Sequence, residues 1–314
     1  MDRAMTEFED MIGKSTSPTG SEATSSARRR GAHLLMLAAI GLSLSACETM
    51  NRMSAVQSVA VLDTSDTETA RANIASLSEV IERNPDDPTA YNTRGAAYAR
   101  IGAFREAMAD FERAIELDPR YAPAHTNRGL ANRQIGEEQS ALTDFNRALA
   151  ADEDYVPALI ARANLLRVQG QSDRALADLD RALRLNPESA QALHSRGLVY
   201  QRLNDHREAV LDFDAAIARN PYVAAPYNAR GQSLVARGEY EKAIEDFNAS
   251  LNVSNNNADA WAWRGVALER SGDAQEAQTS YQRAIGIDSS NSVANEGLER
   301  VRRQASAGGG LFRR

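Results

Sequence analysis

Few residues in this 314-residue chain are of a type that does chemistry, and their spacing narrows the choice further. There is one cysteine, Cys47, which excludes internal disulfides, CxxC redox chemistry and cysteine-based zinc sites. Lysine occurs only as Lys14 and Lys242, which removes most Schiff-base and P-loop chemistry. Beyond residue 46 the histidines are His125, His194 and His206, too scattered for a metal-ligand set. No HExxH, GxSxG or Walker motif is present, and Gly308-Gly309-Gly310 follows no strand. These residues point to no enzyme, no metal and no cofactor. A net charge of −7 and a pI near 5.3 give no general attraction to nucleic acid.

Arginine is the exception. Arg94, Arg128, Arg162, Arg196, Arg230 and Arg264 recur every 34 residues. Sixteen residues after the first five stand Asp110, Asp144, Asp178, Asp212 and Asp246, with Ser280 after the sixth. One chemistry for such a row is capture of an acidic ligand. The other is a repeated structural ion pair, bidentate and partly buried. The recurring carboxylate favours the second, because buried charges must be paired. In an antiparallel helical hairpin, facing positions have a nearly constant sum, so each arginine faces its own aspartate or a neighbour's.

The elements that position this ladder share its period. Ala107, Ala141, Ala175, Ala209, Ala243 and Ala277 keep step, followed four residues later by Phe111, Phe145, Leu179, Phe213, Phe247 and Tyr281. Spacings of three and four put Tyr91, Gly95 and Tyr98 on one helical face, and Ala107, Phe111, Ala114 and Ile115 on another. Gly102, Gly136, Gly170, Gly238 and Gly272 fall between the halves, where a helix stops and turns. Pro85, Pro119, Pro187 and Pro221 close the second helix. Asn132 breaks the aromatic pattern. Glu153, Asn255 and Ser289 replace the proline, and Ser254-Asn255-Asn256-Asn257 reads as a looser joint. His125 reads as a packing histidine and His206 as a turn residue.

This pattern of large, small, aromatic, alanine and proline positions resembles the tetratricopeptide repeat (TPR) family. The resemblance implies an all-α, right-handed solenoid of helix-turn-helix units. Six units span 88–121, 122–155, 156–189, 190–223, 224–257 and 258–291, after a degenerate half repeat at 67–87. A capping helix at 292–303 and a flexible tail at 304–314 follow. In this family the first helix of each unit lines a concave groove. By that resemblance Asn92, Arg100, Arg133, Asn164, Arg167, His194, Arg202, Asn228 and Arg270 face a partner, together with aliphatics such as Leu130 and Ile160. Such a set grips a protein or an extended, acidic peptide, or is simply solvated.

The N-terminus reads as an address. A polar leader precedes Arg28-Arg29-Arg30 and an apolar run from Leu34 to Ala46, too short to span a bilayer. The run ends Leu44-Ser45-Ala46-Cys47, which resembles the lipobox of bacterial lipoproteins. That resemblance implies a signal peptide at 1–46, cleavage before Cys47, acylation of Cys47 as a membrane anchor, and a tether at 47–66 with a weak helix near Met53–Leu62. Glu48, where aspartate commonly retains such proteins in the inner membrane, favours the outer membrane facing the periplasm. The chain therefore reads as an anchored scaffold for cell-wall or envelope-assembly factors. The alternatives are a pilotin-like factor for a pilus or secretion complex, an envelope enzyme with an atypical groove site, and a cytosolic scaffold.

Overall fold

The computed structural model describes residues 67–308, and these are helical hairpins from end to end. The expected signal peptide, Cys47 and the tether lie outside the described residues. A single helix, α1 (Thr67–Arg83), comes first. Six hairpins follow: α2 (Pro88–Arg100) with α3 (Phe104–Leu117), α4 (Ala122–Gln134) with α5 (Glu138–Ala151), and α6 (Val156–Val168) with α7 (Ser172–Leu185). Then come α8 (Ala190–Arg202) with α9 (His206–Arg219), α10 (Ala224–Ala236) with α11 (Tyr240–Val253), and α12 (Ala258–Ser271) with α13 (Ala274–Ile287). The closing helix, α14, runs Ser292–Gly308, five residues past the expected end. Its last turn is supported by the Ser306 hydroxyl, which donates to the Arg302 carbonyl at 2.9 Å. Among the described residues no helix is long and apolar enough to cross a membrane.

Each hairpin turn is a left-handed residue capping the first helix. In the second unit, Gly136 at φ +85° lets its N–H donate to the Arg133 carbonyl while that of Glu137 donates to Asn132. These two bonds satisfy carbonyls the helix end leaves open. The fourth unit has Asn204 at the same place with φ 60°, since asparagine is the side chain that best tolerates this conformation. His206 lies just past that turn, as the first residue of α9.

The proline expectation needs correction. α5, α11 and α13 end at the register of the other second helices, although Glu153, Asn255 and Ser289 replace proline. In α5 and α13 a short polar residue one step earlier, Asp152 or Asp288, ends the helix, and Ser254 stands at that place after α11. The side chains of Asp118, Asp152, Asn186, Asn220 and Asp288 each accept from the backbone N–H two residues on. This local turn competes with continued helix. The joint at 254–257 is likewise regular: Asn257 caps α12, and the Trp261 indole donates to the Asn255 carbonyl at 3.0 Å.

The core of each unit is a dipeptide meeting a dipeptide. Arg-Gly on the first helix faces Asp-Phe on the second. A Cβ at Gly95, Gly129, Gly197, Gly231 or Gly265 would lie 2.6–2.8 Å from the ring of Phe111, Phe145, Phe213, Phe247 or Tyr281. No real Cβ sits that close, so the ring occupies the space a side chain would take. The third unit shows the same constraint in reverse. There Ala163 replaces glycine, and the smaller Leu179 replaces the ring. Both are fully buried, as are the alanines one turn away such as Ala175 and Ala182.

First helices also pack on the next first helix, from α2 to α12, while successive second helices stay further apart. The first helices thus form the inner layer. At the end of the stack, α14 lies on α12 and α13. Gly297 of α14 packs against the Tyr281 ring. The Tyr281 hydroxyl donates to Glu269 at 2.7 Å, and Arg300 of α14 holds the same carboxylate through two bonds of 3.0 Å.

Gly197→Ala is expected to destabilise the array by about 1–3 kcal/mol through overpacking against Phe213. Adding Phe213→Leu, which copies the third unit, should recover part of that loss. Urea unfolding of both single variants and the double variant measures the coupling. Strictly additive effects would show that glycine and ring do not constrain each other.

Candidate protein-binding face and the arginine ladder

The tight glycine–ring contact brings the preceding arginine onto the preceding aspartate. In the first five units the guanidinium grips its own aspartate with two bonds. Nε donates to Oδ2 at 2.8–2.9 Å and Nη2 to Oδ1 at 2.5–2.8 Å. The five carboxylates are 3–8% exposed. Planar forks suit this bidentate geometry, and both charges are compensated. The row is therefore a set of structural ion pairs.

The ladder also reaches backward, which sequence reasoning missed. Arg94, Arg162, Arg196 and Arg230 each donate Nη1 to a residue sixteen positions earlier: Ser78, Asn146, Asp180 and Asp214, at 2.5–3.1 Å. Arg264 donates Nε to Asn248 at 2.8 Å and Nη1 to Ser280 at 2.6 Å. Each of these arginines bridges both helices of its own unit and the second helix of the one before. The signal was a polar residue at 78, 146, 180, 214 and 248, in step with the repeat.

The irregular positions now have physical reasons. Asn132, which breaks the aromatic column, donates to Asp144 at 3.1 Å. His125 is buried, with Nε2 3.0 Å from the Pro119 carbonyl and Nδ1 4.0 Å from Asp144. Burial pushes the Asp144 carboxyl up, but His125 and Arg128 outweigh it and hold it below the usual carboxylate value. Where the column keeps tyrosine, the ring flanks the arginine, as Tyr200 does at 5.9 Å from the Arg196 guanidinium carbon.

The nine proposed partner-facing residues differ in their surroundings. Two of them link neighbouring inner helices. Asn92 accepts from Asn127 at 2.9 Å and is buried, and Asn164 donates to Ser195 at 3.1 Å. The neighbouring Gln201 donates to the Ala229 carbonyl and to Ser233, both at 3.2 Å. Asn228 is half-buried, its Oδ1 enclosed without a partner. Arg100 and Arg270 are exposed, Arg270 next to the Glu269–Arg300 pair. The others, Arg133, Arg167, His194 and Arg202, gather on α4, α6 and α8. Burial lowers the basicity of Arg133 and Arg167, and Arg202 and Arg133 lower that of Arg167 further. Burial, then Arg167, brings His194 down to about 4, with its ring 5.7 Å from that of Phe213. Among the described residues, no group of three or more histidine, cysteine, aspartate or glutamate side chains is placed to hold a metal ion.

Asp178→Ala should cost about 3–5 kcal/mol, because it leaves Arg162 half-enclosed without its carboxylate. Replacing both partners, as in Arg162→Met with Asp178→Met, should regain most of the loss, since a well-packed apolar pair is often neutral. An unchanged melting temperature in Asp178→Ala would mean the pair is effectively solvated. His194 should titrate near 4 by imidazole NMR, against an ordinary 6.5. The folded pKa is lowered, so the stability from keeping this ring neutral is complete above about 6.5 and is lost as pH falls toward 4. Arg167→Met should raise the midpoint; an unmoved midpoint would assign the shift to burial alone.

Comparison with known proteins agrees with this geometry. Models described as TPR repeat match residues 231–272, and models described as tetratricopeptide repeat match 88–121, 160–224 and 258–291. None of them is the model of a catalytic family. No curated protein matches the chain significantly. Among solved structures, a chain of the APC/C hetero-tetramer Cut9-Hcn1 is 18% identical, with a TM-score of 0.68 over 76% of this chain and 48% of that one. The alignment thus spans about half the length of that protein. PilF of Pseudomonas aeruginosa is 20% identical, TM-score 0.61, over 68% of this chain and 97% of its own. PilW, a type IV pilus biogenesis factor, is 17% identical, TM-score 0.62, over 67% and 98%. At these identities the likeness is one of fold. The chain carries tetratricopeptide repeats, and its described residues have the architecture of a TPR solenoid.

Proposed function

We propose that this chain is a lipid-anchored periplasmic scaffold that holds protein partners in cell-wall or envelope assembly. The observation that carries the reading is a pairing within one chain. Leu44-Ser45-Ala46-Cys47 closes a basic-then-apolar run, and a repeat array built for binding follows it. No unit of such an array buries its face alone, so stacking produces an extended inner layer, a surface suited to recognition. Glu48 after the acylated cysteine supports the outer membrane as its site.

A second reading, a pilotin-like factor for a pilus or secretion complex, is favoured by one observation. The array matches nearly the whole length of PilF and of PilW, the latter named as a pilus biogenesis factor. Loss of piliation in a deletion strain with normal wall morphology would favour it over the first.

Radiolabelled palmitate should enter the wild-type protein in cells, and Cys47→Ser should abolish the label. No label in the wild type overturns the anchored reading.

A further inference from the structure

Most arginines that flank the inner layer are paired. The first five ladder arginines have their aspartates, Arg264 has Glu276, and Arg237 at the end of α10 holds Glu239. Arg100, Arg133, Arg167, Arg202 and Arg270, at the ends of inner helices, have none; Arg100 and Arg270 stand exposed, whereas Arg133, Arg167 and Arg202 are neighbours. Arg133, Arg167 and Arg202 occupy the last turns of α4, α6 and α8, the same end of three successive inner helices. Arg133 and Arg202 are near enough to Arg167 to repel it, and no carboxylate offsets them. The Arg167 Nε–H is buried without an acceptor. A Cβ on Gly170 would lie 3.4 Å from Arg202 Nη2, so that guanidinium leans over the turn of the preceding hairpin.

A cation in the last turn complements the open carbonyls of a helix end. That accounts for one arginine per helix. It does not account for three that crowd together, half-bury two of their side chains and leave a donor enclosed. Uncompensated like charges in a partly dehydrated place are unfavourable until an anion arrives. Beside them, at the same helix ends, Ile135, Val168 and Leu203 stay 47–56% exposed. The same three helix ends therefore carry guanidinium forks and exposed aliphatic side chains.

We propose that Arg133, Arg167 and Arg202, with Ile135, Val168 and Leu203, bind an extended acidic segment of a partner protein. This rests on the reading of the array as a protein-binding scaffold and names the chemistry of its ligand. Packed helices lie about 8–10 Å apart. A polyproline II strand advances about 3.1 Å per residue, so every third residue recurs at about 9 Å. A carboxylate at every third position thus meets successive arginines, and apolar residues between them meet the aliphatic side chains. Free phosphate satisfies only the forks and a nucleic acid only the charge, so the exposed aliphatics favour the peptide.

The test uses a fluorescein-labelled peptide of three Glu-Leu-Pro repeats, followed by anisotropy on the full mature chain. Binding should weaken about tenfold or more in Arg167→Gln, as expected for loss of a charged hydrogen bond. It should vanish in the triple variant R133Q/R167Q/R202Q, whose circular dichroism should stay helical. Arg283→Gln, exposed on the outer helix α13, should bind as wild type. The Gln-Leu-Pro peptide should not bind. Equal binding of that peptide, retained binding in the triple variant, or displacement by inorganic phosphate or single-stranded oligonucleotide at matched ionic strength each overturns the site. Capture of envelope partners undiminished in the triple variant also overturns it, while leaving the scaffold reading in place.

Discussion

The structure depends on the close approach of two helices where a glycine meets a ring. Once Gly197 admits Phe213, the two backbones are near enough for Arg196 to fork onto Asp212. Packing comes first and electrostatics follows from it. A buried pair by itself adds little stability, since desolvation offsets the attraction. Here its value is geometric. The fork fits only in one register, and its third nitrogen reaches Asp180 in the unit before. The same side chain thus aligns the hairpin internally and against its neighbour, and the stack propagates unit by unit.

That arrangement explains why ladder arginines are unavailable to a ligand. The two bonds of each fork are spent on an aspartate of the same unit. The inner layer is partly closed as well, because Asn92, Asn164 and Gln201 bond across to the next inner helix. The second to fourth units keep a short stretch where three neighbouring cations lack carboxylate partners. An acidic protein can carry such a basic spot because its ladder arginines are neutralised by carboxylates within the fold.

The terminal unit shows how the device is ended. Ser280 replaces the aspartate and Tyr281 the phenylalanine. The tyrosine hydroxyl gives the ring a polar edge for Glu269, and α14 answers with Arg300 and with Gly297 against the ring. A face that would otherwise be open is covered, as a stacked array requires at its ends.

The strict period of 34 made the hairpins, their turns and the arginine–aspartate pairing legible, because each of these lies within one repeat and recurs without insertion. Less visible were features whose cause is a substitution that preserves geometry. Asn204 stands in for glycine, a turn-forming polar residue ends helices that lack proline, and Asn132 trades a ring for a hydrogen bond to Asp144. The choice among nine polar residues of the inner face could not be read at all. Asn164 and Arg167 lie one turn apart on α6, yet one is bonded to Ser195 and the other is unpaired. The sequence alone determined the unit, since local spacing dictates which faces of two helices meet. Tertiary structure decided which side chains stay free, since their partners come from units some 30 residues away and are met only when the array stacks.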